Sequence, residues 1–202
     1  INGINTIKLS ANWMAACNVE GEDAKLYDTV KAVGMELCPA LGLSIPVGKD
    51  SLSMQTKWED EGKNHAVRSP VSLIVTSFAA VSDVNKTLTP ELRKDAGSTV
   101  LLLIDLAKGQ QRLALSILAQ VTQQVGEAVP DLDDAEMLKN AFNAIQELND
   151  KSLALAYHDK SDGGLAATVA EMAFAAQTSV SINADMWTID PNSQDAGDFK
   201  IN

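Results

Sequence analysis

The chain has 202 residues, of which 46 % are apolar and 21 % charged, and its formal net charge is −11. That length suits one large domain or two small ones with a core that needs no disulfide or metal staple, and the composition excludes a disordered chain. The charge is uneven: residues 1–96 carry ten basic and twelve acidic side chains, whereas residues 97–202 carry six and fifteen. Such a surface repels phosphate backbones, so no nucleic-acid partner is expected. A small phosphorylated ligand held through Mg²⁺ stays compatible with it, because carboxylates bind the metal and the metal binds phosphate. No apolar run is long enough to span a bilayer, so no membrane partner is expected. The opening Ile-Asn-Gly-Ile-Asn lacks the basic start and apolar core of a signal peptide. Cys17 and Cys38 form neither a CxxC nor a zinc pattern and read as free thiols of a reducing compartment, which makes the expected location cytoplasmic. The chain lacks an initiator Met and ends in a polar stretch, and both ends read as cuts through a longer protein.

In chain order, the spacing of Tyr27, Val30, Gly34, Leu37 and Leu41 predicts a helix over 23–41, stopped by Gly42. A short strand follows over 43–47, then a turn at Gly48-Lys-Asp-Ser51, an extended stretch over 51–58 and a polar hairpin tip or loop over 59–64. Residues 71–81 are apolar on both alternating faces and predict a central strand covered on both sides. Residues 82–98, with Pro90, Gly97 and many charges, read as a linker. The second half predicts a buried strand over 99–104, a helix marked by Leu113, Ile117, Val121 and Val125, and another marked by Leu138, Phe142, Ile145 and Leu148. Then come a strand over 153–157, a loop over 158–164, a helix over 165–176 and a last strand over 179–183. Strands and helices mix in both halves, so the fold class is α/β or α+β in two segments.

The loop His158-Asp-Lys-Ser-Asp-Gly-Gly164 carries the most chemistry. It leads into a helix N-terminus, whose unpaired N–H groups and positive dipole end attract phosphate, and its glycines allow close approach to the backbone. Asp159 and Asp162 offer the hard oxygens that Mg²⁺ prefers, and Ser161 offers a hydroxyl to a phosphate or the metal. A simpler role is equally open to the same residues: Ser161 or Asp162 caps the helix and the glycines make the turn.

Gly48-Lys-Asp-Ser51 resembles the end of a P-loop only superficially. Asp50 separates the Lys from the Ser, no Gly stands at position 43, and an alternating segment follows instead of a helix. Lys49 and Ser51 can still meet an anionic ligand from a polar turn, or simply be solvated. His65 reads as a surface residue. The acidic cluster Asp131, Asp133, Asp134 and Glu136 reads as charge compensation at a helix start. Residue chemistry alone leaves Ser10-Ala-Asn-Trp-Met14 undecided between pocket and core.

Several strings together resemble one family. Lys8-Leu-Ser-Ala-Asn-Trp-Met-Ala15, Gly21-Glu-Asp-Ala24, Leu37-Cys-Pro-Ala-Leu-Gly-Leu43, Ile45-Pro-Val-Gly-Lys-Asp-Ser-Leu-Ser-Met54 and Ala156-Tyr-His-Asp-Lys-Ser-Asp-Gly-Gly-Leu165 resemble the long, single-chain phosphoribosylformylglycinamidine synthases. The resemblance spans roughly residues 8–180 in order and spacing. It implies a fold similar to aminoimidazole ribonucleotide synthase: residues 1–81 as the C-terminal part of a second A-type unit, 82–98 as linker, and 99–202 as the N-terminal part of a second B-type unit. It further implies ATP or ADP and Mg²⁺ as cofactors, Asp159 as a metal ligand, and Ser161, Gly163 and Gly164 as nucleotide contacts. Lys49 and Ser51 are candidate substrate or phosphate contacts.

The implied reaction is amidation of formylglycinamide ribonucleotide in de novo purine biosynthesis. ATP phosphorylates the amide oxygen, and ammonia from glutamine, released by a domain outside this chain, displaces the phosphate. Neither cysteine is therefore the glutaminase nucleophile, and the isolated chain is expected to be inactive. In the long form one of two pseudo-symmetric nucleotide sites is auxiliary, and the resemblance assigns Asp159 and Ser161 to that one. Ala114-Leu115-Ser116 departs from a Gly-Gly-Ser turn of many relatives, so no ligand contact is expected there. The alternatives are a purely structural nucleotide-binding module and another ATP enzyme of the same fold, related to selenophosphate synthase or thiamine-phosphate kinase.

Overall fold

The structure is a computed structural model that describes residue 1 and residues 3–182. The predicted strand over 179–183 thus falls partly outside the described residues, and residues 179–182 form no ladder. The chain divides into two compact units: Ile1–Val84 with Ala135–Gln146, and Asn85–Asp134 with Glu147–Asn202.

In the first unit, strand β1 (Lys8–Met14) lies at the centre of a three-stranded sheet of order β2-β1-β5. It runs parallel to β2 (Ser44–Ser51) and antiparallel to β5 (Ser72–Phe78). Parallel neighbours need a crossover, supplied here by the helix between them. Leu9, Ala11 and Trp13 are buried and alternate with half-exposed Ser10, Asn12 and Met14, as one covered sheet face requires. Ala15, Ala16, Cys38 and Leu41 complete this small core.

The predicted helix over 23–41 is present in three parts. Helix α1 (Glu22–Lys31) passes through a π-helical stretch (Ala32–Leu37) into α2 (Cys38–Leu41). The cause is Pro39: it has no N–H for the carbonyl four residues back, at Met35, and its ring crowds that carbonyl, so the ladder widens ahead of it. Gly42 ends the helix in the left-handed region, φ 74°, and its N–H bonds back to Pro39. The inward stripe differs from the predicted one. Leu26, Val33, Leu37 and Leu41 are the less exposed positions, while Tyr27 and Val30 face solvent.

Two further expectations are corrected in this unit. Gly48-Lys-Asp-Ser51 is strand, not turn: it completes β2, held in register against 11–14 of β1. Residues 71–81 give an edge strand, not a central one, and Ile74, Val75 and Phe78 are exposed on it. The central place belongs to β1, which the sequence left undecided. The polar tip is borne out, because β3 (Gln55–Asp60) and β4 (Lys63–Arg68) pair antiparallel through a two-residue turn at Glu61-Gly62. His65 is exposed, as expected, and stacks on Trp58 with ring centroids 5.2 Å apart.

The second unit is helical and irregular over its described residues. Residues 99–104 and 153–157 form no strand, contrary to expectation, and 100–104 are exposed. Apolar character makes a strand only where a neighbouring strand completes its ladder, and no such partner lies beside these runs among the described residues. The helix predicted from Leu113 to Val125 shrinks to α3 (Ile117–Val121), capped by the Ser116 side chain accepting from the Ala119 N–H. Leu115 and Gln123, both in the left-handed region, bound it. Helix α5 (Gly164–Ala176) stands where predicted, as does helix α4 (Ala135–Asp150), whose residues to Gln146 belong to the first unit. The acidic cluster is tied up by cations, with Arg112 on Asp133 and Lys108 on Asp134.

Candidate functional site

Loop 158–162 is fastened to the helix that follows it. Helix α5 begins at Gly164, whose φ of 78° is left-handed and favours glycine. Gly163 holds the N-cap position and makes no side-chain cap hydrogen bond. A Cβ at Gly163 would stand 2.7 Å from the Ala167 Cβ, so the turn also needs glycine for space. Neither the Ser161 nor the Asp162 side chain caps the helix, whereas the glycines do make the turn, so only the capping part of the simpler role is corrected.

Ser161 is instead turned onto α5. Its backbone N–H donates to the Thr168 hydroxyl oxygen at 2.8 Å, and its own Oγ lies 3.2 Å from that oxygen. The Ser161 hydroxyl donates to Oε2 of Glu171. His158 Nε2 meets the same Oε2 at 3.0 Å, and its Nδ1 lies 3.5 Å from Asp159 Oδ1. Thr168 is buried, whereas the Asp159 side chain is 87 % exposed and directed at solvent. Gly164, Thr168 and Glu171 follow at i, i+4 and i+7 on one stripe of α5. Sequence reading missed Thr168 and Glu171, although that spacing from the glycine turn is the signal that finds them.

Among the described residues no group of three or more His, Cys, Asp or Glu side chains could hold a metal by itself. The donor set still fits Mg²⁺ bound with a nucleotide. That ion commonly takes one or two carboxylates and draws the rest of its shell from water and phosphate oxygens. Asp159 offers an exposed carboxylate, and the turn at Gly163 and Gly164 offers backbone beside it.

Lys49 and Ser51 belong to the first unit, and the loop residues to the second. They share one face of β2, and Lys49 Nζ donates to Ser51 Oγ at 3.0 Å. The register sets Asn12 of β1 opposite Lys49. The Oδ1 atom of Asn12, in the stretch that the sequence left undecided between pocket and core, is buried without a hydrogen-bond partner.

Residues 95–200 match the family model described as AIR synthase related protein, C-terminal domain, and residues 1–80 match the one described as FGAR-AT PurM_N-like domain. The class is thereby AIR synthase-like: α+β proteins related to ATP-using enzymes of the ligase type. The first of the two domains narrows it, and the chain belongs to the FGAR-AT family, the phosphoribosylformylglycinamidine synthases, in their synthase portion. The family acts in purine biosynthesis. No helix of the described residues is long and apolar enough to cross a membrane.

Proposed function

We propose that this chain is part of a glutamine-dependent ligase that converts formylglycinamide ribonucleotide to formylglycinamidine ribonucleotide, and that loop 158–164 holds ADP or ATP with Mg²⁺. The observation that carries the reading is the uncapped glycine turn at the head of α5 beside an exposed Asp159 and an oriented Ser161. A phosphate group gains hydrogen bonds and a favourable dipole at such a turn. Asp159 holds the metal, whose chemistry is to offset the charge of the phosphoryl oxygens. Gly163 and Gly164 let the phosphates reach the backbone, and Ser161 serves as a further nucleotide contact. Lys49 and Ser51 serve as an anion contact for the ribonucleotide phosphate on the sheet of the first unit. Residues 1–81 and 99–202 act as the A-type and B-type parts, with 82–98 between them. Glutamine is hydrolysed by a domain outside this chain, and the 202-residue chain alone turns over no substrate.

A second reading has an observation of its own. Ser161 donates a hydrogen bond to Glu171 and is tied to Thr168 of the same helix, so the loop is built into the packing of α5. That pattern suits an auxiliary nucleotide held for structure. Asp159→Asn in the intact polypeptide separates the two. A catalytic site loses turnover while its melting temperature holds. An auxiliary site loses nucleotide content, melting temperature and turnover together. Unchanged nucleotide content, stability and turnover would remove Asp159 from the metal site altogether.

A further inference from the structure

We propose that Asn12 is a third contact for the phosphate assigned to Lys49 and Ser51, an inference that rests on the anion contact proposed for those two residues. Strand β1 turns Leu9, Ala11 and Trp13 into the core, so Asn12 stands on its other face and is half-exposed. Residues paired in register share a face: Lys49 lies beside Asn12 on β2, with Ser51 two residues further along. Asp50 pairs with Trp13 and takes the opposite face. None of the residues paired with Lys8, Ser10, Asn12 or Met14 on either neighbouring strand is acidic, so no carboxylate from these strands competes there with an incoming anion. The Asn12 carbonyl oxygen is shut away from solvent without a partner. Its backbone lies in the central strand between two ladders, so the exposure of the residue falls to the side chain, whose N–H₂ end is left to the open face. An acceptor left unpaired costs stability, a cost in keeping with a site held ready for a ligand. A lysine ammonium only donates, so Ser51 Oγ accepts from Lys49 Nζ at 3.0 Å and keeps its own proton for an acceptor. Asn12, Lys49 and Ser51 thus offer donors from two adjacent strands, about 4.8 Å apart, within reach of one tetrahedral phosphate.

The test is the dissociation constant of formylglycinamide ribonucleotide for the intact polypeptide, alongside that of its dephosphorylated riboside. Asn12→Ala is expected to weaken ribonucleotide binding about tenfold, as Ser51→Ala does. The isosteric Asn12→Asp weakens it about a hundredfold, because a carboxylate there repels the phosphate. Riboside binding changes less than about twofold in each variant. Wild-type ribonucleotide affinity in Asn12→Ala and Asn12→Asp, with Lys49→Ala and Ser51→Ala impaired, overturns the proposal and leaves the anion contact standing. Equal losses for ribonucleotide and riboside in the Asn12 variants overturn it as well, since the residue then acts on the fold and not on the phosphate. Wild-type affinity in all four variants removes the anion contact and the proposal with it. Should Asn12→Asp fail to fold by circular dichroism, Asn12→Ala decides alone, since it removes the unpaired carbonyl together with the N–H₂ end.

Discussion

Leu115 lies in the left-handed region that favours glycine, at a φ of 59°. The left-handed region costs a residue with a Cβ about 1–2 kcal/mol, and Leu115 recovers little by burial because it is 64 % exposed. Leu115→Gly is therefore expected to raise stability, by about 0.5–1 kcal/mol after the extra backbone entropy of glycine is subtracted, in urea unfolding. The neighbouring Gly126→Ala goes the other way: a Cβ there would fall 2.7 Å from the Ala114 Cα, at φ 81°, and about 2 kcal/mol or more is lost. The cysteines make a second residue-scale contrast. Cys38 is 4 % exposed and burial pushes its thiol pKa up, whereas Cys17 is partly open. Iodoacetamide at pH 8 is expected to label Cys17 first, with Cys38 labelled only on unfolding, as peptide mass mapping reads directly.

At the scale of elements, the β3–β4 hairpin turns on Glu61-Gly62, both with positive φ, at 50° and 73°. A two-residue turn of that kind favours Asn at its first position, and Glu pays the Cβ penalty there. Glu61→Asn is expected to stabilise the first unit by about 0.5–1 kcal/mol, seen as a shift of its urea midpoint. How much of the fold was legible follows the same local logic. The long helix to Leu41, the hairpin tip, α4 and α5 were readable because helix periodicity, Gly42 and the polar tip are signals carried within a few residues. Strands were not. Residues 99–104 look like a buried strand in composition, but a ladder is a property of two segments, and neither its partner nor its depth is written in the run itself. The exchange of rank between β1 and β5 has the same origin. Ser10-Ala-Asn-Trp-Met14 has a mixed face because only one side of the sheet is covered, while the apolar 71–81 run sits at the edge. At the site, the motif gave Asp159, Ser161 and the glycines. Thr168 and Glu171 were hidden because their role depends on how the loop folds back on α5.

For the molecule as a whole, opposing surface properties coexist. A charge of −11 keeps copies apart at low ionic strength, yet Val100, Leu101, Leu102, Leu103 and Ile104 stand exposed in a row. Salt shortens the range of the repulsion to about 8 Å at 0.15 M and leaves the apolar attraction in place. Self-association measured by light scattering is therefore expected to rise with salt. Leu102→Lys, at a site 75 % exposed, should reverse that rise while changing stability by less than about 0.5 kcal/mol. An unchanged salt response in that variant places the sticky surface elsewhere.

The placement of the indoles has a spectroscopic consequence. Of the three tryptophans, Trp13 is buried in the central strand and Trp58 lies open against His65, and both belong to the first unit. With Trp187 changed to Phe, fluorescence becomes a gauge of the first unit alone. Trp13 supplies a blue-shifted band that moves red when the sheet opens, and Trp58 a solvent-exposed band. Far-ultraviolet circular dichroism, weighted by the helices, follows α5 of the second unit together with the helices of the first at the same time. Two melting curves that coincide would mean that the units unfold as one, and two that separate would give each unit its own stability from a single sample.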